Sequence, residues 1–357
     1  MTASHTVLHL VNRLDAGGVL RHVRDLADGL PAHGFNCLIA AWAPPGSPLQ
    51  TDDRFAHLPL YGRSGERKSL HGAAAAVRRL RRLCSKRRVD VLHMHSRYAL
   101  LLGRMACASS HRIYTAHNLF PGTGGRWLYP HELIAPSSAV ARDLAARLGR
   151  SDERGMHVIP HGLRLPDLAD RADSGREPVF AWIGRLEEQK GLTHVLEALA
   201  MIGQSGNNVP GLEVIGEGTE RAALQRFCAD RGLESRVRFH GWCANPFSVL
   251  PPVRALLFSS LRLDAMPYTN LEAMARGIPV IATDLAVLDE LVLHGETGLR
   301  YPAGDAAALS VTLREAAGTS DRMRMLGAAA REHISRHFTM ERMLRETAMV
   351  YRQLLAE

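Results

Sequence analysis

The stretch HVIPHGLRLPDLADRADSGREPVFAWIGRLEEQKG, residues 157–191, decides the fold, because a regular pattern stops inside it and then starts again. Residues 164–178 are polar and without periodicity, the composition of a linker. Before them, apolar runs alternate with amphipathic stretches: VLHLV, RHVRDLADGL, CLIAAW, AAAAVRRLRRLC, VDVLHMH, ALLLGRMAC, RIYTAH, ELIAPSS and AVARDLAARLG. After them the rhythm resumes with VFAWIG, LTHVLEALAMIG, LEVIG, ERAALQRFCADRGL, VRFHG, ALLFSS, NLEAMA, PVIATD and DELV. Strand-length runs alternating with helical ones indicate repeated βα units, hence parallel, doubly wound sheets. The expectation is an α/β chain of two Rossmann-like domains facing a central cleft, residues 1–165 and 166–337. Three helical stretches close the chain with no strand after them.

Composition agrees with two globular domains. The 357 residues are 46% hydrophobic and 22% charged, and a chain of this length normally divides into two cores. The first residues, MTASHTVLHLVNRL, lack a positive n-region, an apolar h-region and a cleavage site. No apolar run approaches the roughly 18 residues of a spanning helix, so a cytoplasmic protein is expected. Five cysteines, Cys37, Cys84, Cys107, Cys228 and Cys243, are scattered without C-x-x-C spacing, which speaks against a disulfide framework or a zinc site. The net charge of +8 hides a split: residues 1–165 carry net +12 and residues 166–357 net −4. Such a basic half suits an anionic membrane surface or an anionic acceptor. No nucleic-acid signature accompanies it, so no nucleic-acid partner is expected.

Ligands of doubly wound sheets bind beyond the carboxyl ends of the strands, so the strand-to-helix loops are the places to search. In Gly184-Arg185-Leu186-Glu187-Glu188-Gln189-Lys190-Gly191, a fork of donors and a point charge lie beside the start of helix GLTHVLEALA. That arrangement fits a diphosphate, although a solvated turn would also carry basic residues. Gly216-Glu217-Gly218 follows strand LEVI but lacks the third glycine of a dinucleotide loop, and Ala16-Gly17-Gly18 lacks it too, which weighs against an oxidoreductase. Asp264 and Glu272 lie eight positions apart astride the start of the short helix NLEAMA. His93 and His95 alternate with apolar residues in VDVLHMHS and read as a satisfied structural pair on one strand face. No Asp-x-Asp occurs anywhere in the chain.

Nine motifs in one order, GGVLRHVRDLADGL, DVLHMHS, YTAH, VIPHGL, GRLEEQKG, VIGEG, VRFHG, LEAMARGIPVIATD and GETGLRYPAGD, resemble the retaining glycosyltransferases of the GT-B, family 4 type over nearly the whole chain. The resemblance implies a nucleotide sugar held mainly by the second domain, an acceptor held mainly by the first, and a last helix, residues 338–357, that packs back on the first domain. It implies catalytic roles for Arg185, Lys190, His117 and Asp264. Donor contacts would come from Gly17, Gly18, Gly184, Arg185, Lys190, Gly216, Asp264, Tyr268, Thr269, Asn270, Leu271 and Glu272, with Glu272 accepting the ribose hydroxyls. Arg21 and His117 are the acceptor-side candidates. No metal and no cofactor are expected; the nucleotide sugar is a co-substrate, a UDP-sugar being favoured over a GDP-sugar.

Departures from the family pattern bear on specificity. The first of its two paired acids is Asp264 rather than Glu, and Ala265-Met266 replaces the usual Gly-Phe. The customary Asn of the VIPHGL segment is His161, read as part of a linker turn. Two other classes remain open: a GT-B sugar-nucleotide epimerase that needs no acceptor, and a catalytically silent interaction subunit. Residues 73–88, AAAAVRRLRRLCSKRR, carry seven positive charges without an acid around a narrow apolar seam of Val77, Leu80 and Cys84. Either that face is simply solvated, or it docks peripherally on anionic membrane and brings the first domain to a lipid-linked or anionic acceptor.

Overall fold

The computed structural model describes residues 5–14, 17–58, 70–106, 110–117, 125–150, 154–166, 179–262 and 264–356. Of the linker expected over residues 164–178, the part from 167 onward lies outside them. The chain divides into two compact units, Met1–Gly162 with Met340–Glu357, and Leu163–Thr339.

In the first unit the described elements run β1 (His5–Arg13), α1 (Gly18–Gly29), β2 (Phe35–Trp42), β3 (Phe55–His57), α2 (Leu70–Arg87), β4 (Val91–Met94), α3 (Arg97–Ala106), β5 (His111–Thr115), β6 (Glu132–Ala135), α4 (Ser138–Leu148) and β7 (Met156–Val158). The strands form one parallel sheet in the order β3-β2-β1-β4-β5-β6-β7. Central strands of such a sheet are covered on both faces and read as continuous apolar runs. β1 obeys this with Val7, Leu8, Leu10 and Val11 buried, and carries two polar intruders, Thr6 and the fully buried His9.

The second unit repeats the plan with β8 (Val179–Ile183), α5 (Leu192–Gln204), β9 (Leu212–Ile215), α6 (Arg221–Asp230), β10 (Val237–Gly241), β11 (Val253–Phe258), α7 (Tyr268–Ala275), β12 (Val280–Thr283), β13 (Gly298–Tyr301), α8 (Ala306–Gly318) and α9 (Ser320–His337). Its sheet order is β10-β9-β8-β11-β12-β13, again parallel throughout. Both sheets therefore reverse direction of winding once, at β1/β4 and at β8/β11. These are the switch points where ligands of this architecture bind.

The last helix, α10 (Met340–Ala356), belongs to the first unit. Its Met343, Leu344, Ala348, Val350, Tyr351 and Leu354 join the core built by β1, α1 and β2. Gly29 on α1 makes room for it: a Cβ there would stand 2.2 Å from Leu344 Cδ1. One cysteine expectation is corrected. Cys84 on α2 is disulfide-bonded, whereas Cys37, Cys228 and Cys243 are free; spacing along the chain says nothing about which thiols the fold brings together. Among the described residues no helix is long and apolar enough to cross a membrane.

Candidate active site

At the β8/β11 switch point two loops are joined backbone to backbone. Leu261 N–H donates to the Gln189 carbonyl at 2.9 Å. Ser259 Oγ donates to the Lys190 carbonyl at 2.8 Å and accepts from Trp182 Nε1 at 2.9 Å. Gly191 closes the junction with φ +67°, and a Cβ on it would lie 2.1 Å from the Ser259 carbonyl oxygen, so only glycine fits. The result is that Lys190, at the mouth of β8, faces Asp264, which follows β11. Its Nζ donates to both carboxylate oxygens at 2.6 and 2.7 Å. Ser260 Oγ donates to the same carboxylate, and Thr283 Oγ1 holds the Ser260 carbonyl at 2.9 Å. Both partners are mostly sheltered, 20% and 18% exposed, where a charge-assisted pair is worth more than at an open surface.

Arg185 behaves differently. Its side chain is 67% exposed and donates to Glu187 Oε1 at 2.5 Å, while Gln189 Nε2 holds the other Glu187 oxygen at 2.9 Å. The guanidinium is thus held over the loop by an exposed contact of small energy.

The glycines beside this loop have a steric role. Gly216 has φ +145°, and a Cβ there would collide with the Gly184 carbonyl at 1.7 Å; one on Gly218 would meet the Leu186 carbonyl at 2.2 Å. Their bareness lets the loop after β9 lie on the loop after β8, tied by Leu186 N–H to Glu217 O at 2.9 Å and Glu220 N–H to Leu186 O at 3.0 Å. Gly184 and Gly216 are brought together as packing partners beneath Arg185.

Helix α7 begins four residues past Asp264, with Pro267 at its N-cap. It has no side-chain cap and no acid in its first turn. By contrast α4 and α8 are capped by Ser137 and Asp305. The uncompensated positive end of α7 is what an anion would meet. Tyr268, Asn270 and Leu271 turn into the core while Thr269 and Glu272 stay half-buried, so the first turn offers backbone rather than those three side chains. Asn270 is fully buried, and neither its Oδ1 nor its Nδ2 has a partner among the described residues.

The β1/β4 switch point of the first unit holds a cluster that spacing alone did not reveal. His9 and His93 are register partners on adjacent strands, and His95, two residues on from His93, lies just past the end of β4, so the pleat puts all three on one face. His22 from α1, His117 after β5 and His161 near the end of the unit close around them. Ring centroids are 4.1 Å apart for His93–His95, 4.9 Å for His22–His117, 4.5 Å for His22–His161 and 5.4 Å for His117–His161. His161 is therefore buried among imidazoles while lying next to the unit boundary at Gly162, where the linker turn is expected.

His93 is saturated by two hydroxyls, Tyr351 of α10 and Thr115 of β5, each at 2.6 Å. His95 bridges His9 Nδ1 at 3.1 Å and His117 Nε2 at 3.0 Å. Burial pushes all six imidazoles far below the ordinary histidine range, His9 and His161 to about 3, and neighbouring rings push His22, His93, His95 and His117 the same way. The cluster is neutral at neutral pH.

Gly17, φ +92°, begins α1 with no side-chain cap and no acid in the first turn, and Gly17 and Gly18 are exposed. Arg21, one turn on, pairs with Asp25 at 3.7 Å. Sequence reading missed Ser259, Ser260, Thr115, Tyr351, His9 and His22. The one legible signal was a histidine in the middle of the apolar run VLHLV.

Residues 16–165 match the family described as Glycosyltransferase Family 4, and residues 168–333 match Glycosyl transferases group 1. A phosphatidyl-myo-inositol mannosyltransferase from Mycobacterium leprae is 28% identical over 323 residues, 83% of this chain and 83% of its own. An alpha-maltose-1-phosphate synthase from Mycolicibacterium smegmatis is 26% identical over 317 residues, 74% of this chain and 79% of its own. Among solved structures, Anabaena HepE in complex with UDP and glucose superposes with a TM-score of 0.80 at 19% identity, covering 98% of this chain and 100% of that one.

Proposed function

We propose, from the premise that this chain belongs to the GT-B glycosyltransferases of the group 1, family 4 type, that it transfers a hexose-type sugar from a nucleoside diphosphate sugar to an acceptor hydroxyl, with retention and without a metal at the diphosphate. The observation that carries the reading is the Lys190–Asp264 pair, doubly bonded across the β8/β11 switch point beside the uncapped start of α7. Without donor, Lys190 and Asp264 neutralise each other. With donor, Asp264 accepts hydroxyls of the transferred sugar, and the Lys190 ammonium, the Arg185 fork and the first amides of α7 take the diphosphate. These are fixed donors aimed at the group on which negative charge grows as the glycosidic bond breaks. Glu272, one turn further along α7, accepts the ribose hydroxyls.

No side chain in this set is placed as a covalent nucleophile, so the reading is front-face attack, the departing phosphate taking the acceptor proton. His117, neutral because it is desolvated, serves by hydrogen bonding near the reacting sugar rather than by charge. The second unit mainly takes the donor and the first, with Arg21 and His117, takes the acceptor. A UDP-sugar is the favoured donor, in keeping with the UDP complex of the Anabaena protein. The Mycobacterium leprae relative is named for phosphatidyl-myo-inositol, an anionic lipid, which fits an anionic or lipid-linked acceptor here and a setting in cell-surface glycan or glycolipid synthesis.

The test is a panel of nucleotide sugars assayed for slow hydrolysis by the chain alone. The expected result is turnover of one UDP-sugar, lost in Lys190→Ala. Conversion of donor to an epimer or free nucleotide-eliminated sugar without hydrolysis would identify an epimerase, and absence of any donor-induced thermal shift would identify a silent subunit.

A further inference from the structure

The histidine cluster of the first unit contains a geometry that sugar transfer does not use. Two groups of three imidazoles offer nitrogens that all lie within 4.8 Å of one another, His9 with His93 and His95, and His22 with His95 and His117. The first group is committed, since both nitrogens of His93 are bonded to Tyr351 and Thr115. In the second, His95 is likewise bonded at both nitrogens, but to other imidazoles, His9 and His117. His95 Nδ1 and His117 Nε2 already point at each other at 3.0 Å, and the His22 ring stands edge-on to both, 5.7 Å from His95 and 4.9 Å from His117.

We propose that His22, His95 and His117 form a site for a divalent transition metal of the zinc class, with the fourth position open on the side of His117. The nitrogens lie within 4.8 Å of one another, so they draw in by up to about 1.4 Å to reach the roughly 3.4 Å separations of imidazoles around an ion at about 2.0–2.1 Å. Imidazole nitrogens suit zinc, cobalt and nickel rather than magnesium or calcium, which take oxygen. His9 supplies the outer partner that orients a ligating histidine: with His95 Nε2–H donating to His9 Nδ1 at 3.1 Å, His95 Nδ1 accepts from His117 Nε2–H at 3.0 Å, and an ion replaces that hydrogen bond once His117 carries its proton on Nδ1. His9 Nε2, buried and without a partner among the described residues, shows that this core holds more imidazole nitrogens than protein groups to satisfy them. His117 is the least buried of the three and gives the approach. The site is distinct from the Lys190–Asp264 pair and does not depend on the transferase reading. If that reading also holds, an ion on His117 withdraws its nitrogen from the sugar and inhibits transfer.

The experiment uses full-length, untagged, chelator-stripped protein titrated with CoCl₂ in the absence of donor and acceptor. The expected result is one equivalent of cobalt with visible d–d absorption, bleached by an equimolar zinc salt, and a higher melting temperature in zinc. His22→Gln and His95→Gln should weaken cobalt binding by more than the ~10–100-fold typical of outer partners. His337→Gln is the control, because His333 and His337 on α9 form the other close ring pair, 5.0 Å apart, and it should leave the spectrum unchanged. Since His22 and His95 are buried, His117→Gln provides the variant least tied to folding; it should lose the zinc-induced thermal shift. No saturable cobalt band in the wild type, or a band lost only in His337→Gln, would overturn the assignment.

Discussion

At the scale of single residues, the Lys190–Asp264 contact converts two separate expectations into one testable unit. Removing Lys190 takes a charge-assisted phosphate contact from the donor and leaves the Asp264 carboxylate with Ser260 alone. Lys190→Ala should therefore lower turnover about 100-fold or more, the magnitude typical of one lost electrostatic donor, with Arg185→Ala similar in turnover and, being exposed, silent in thermal stability. Steady-state rates near wild type in both would remove these residues from the mechanism. Asp264 is one methylene shorter than the family's usual acid and is drawn toward Lys190 by two bonds; Asp264→Glu should shift the ranking of donor sugars in a competition assay, and an unaltered ranking would make the substitution incidental. Asn270 offers a different signature. A buried amide with neither end paired costs about 1–3 kcal/mol, so Asn270→Leu should raise the melting temperature by a few degrees. A drop in melting temperature instead would mean that the amide is satisfied in solution. None of these pairings was legible in the chain, because 74 positions separate Lys190 from Asp264 and only the adjacency of β8 and β11 brings them together.

At the scale of elements, what the sequence carried was rhythm. Continuous apolar runs and helical spacings gave the parallel strands and the break between two α/β blocks, since periodicity is a local property. The steric reason for each glycine was not local. Gly191 looked like the end of a phosphate loop, yet its Cβ position is filled by the Ser259 carbonyl from another loop. Gly191→Ala should therefore destabilise the second unit well beyond the ~1–2 kcal/mol of a left-handed conformation alone, while Gly206→Ala, at φ +72° with nothing within 4 Å, should cost no more than that; equal melting temperatures for the two would contradict the packing. The histidine cluster was equally hidden, because its members come from β1, α1, the ends of β4 and β5, and the close of the unit. Its consequence is acid sensitivity. A histidine whose folded pKa is lowered stays neutral in the fold but takes a proton on unfolding once the pH drops below 6.5. The stability this protects is thus complete above about pH 6.5 and is lost as pH falls toward the folded value, near 3 for His9 and His161. At about 1.4 kcal/mol per pH unit, each buried histidine costs about 2 kcal/mol at pH 5. Several together rival the whole stability of a domain, so the first unit should unfold near pH 5, followed by circular dichroism; a melting temperature constant from pH 7 to 5 would exclude neutral buried imidazoles.

At the scale of the whole molecule the charge asymmetry becomes a surface. On α2 the residues Ala76, Val77, Leu80 and Cys84 are buried, whereas Arg78, Arg79, Arg81, Arg82, Lys86, Arg87 and Arg88 are all exposed. That apolar stripe packs into the first unit, and among the described residues of α2 no large apolar side chain is exposed for insertion into lipid. Contact with a membrane would be electrostatic only. Each basic residue near an anionic surface contributes about 1 kcal/mol, and the field extends only about 8–10 Å at physiological ionic strength, so docking should be reversible and steeply salt-dependent. Arg81 is partly engaged, donating to the Met105 carbonyl at 2.8 Å; Arg78, Arg79 and Arg82 are the better residues to neutralise. We expect the wild type to cosediment with vesicles containing phosphatidylglycerol at low salt, to release above about 0.5 M salt, and to ignore neutral phosphatidylcholine vesicles. Replacing Arg78, Arg79 and Arg82 by Gln should cut recovery several-fold at low salt while leaving hydrolysis of the nucleotide sugar unchanged, because these residues belong to the first compact unit whereas Lys190 and Asp264 belong to the second. Equal recovery on both lipids, or indifference to salt, would reduce the basic face of α2 to a solvated surface and leave the acceptor to be delivered by the first unit's own loops.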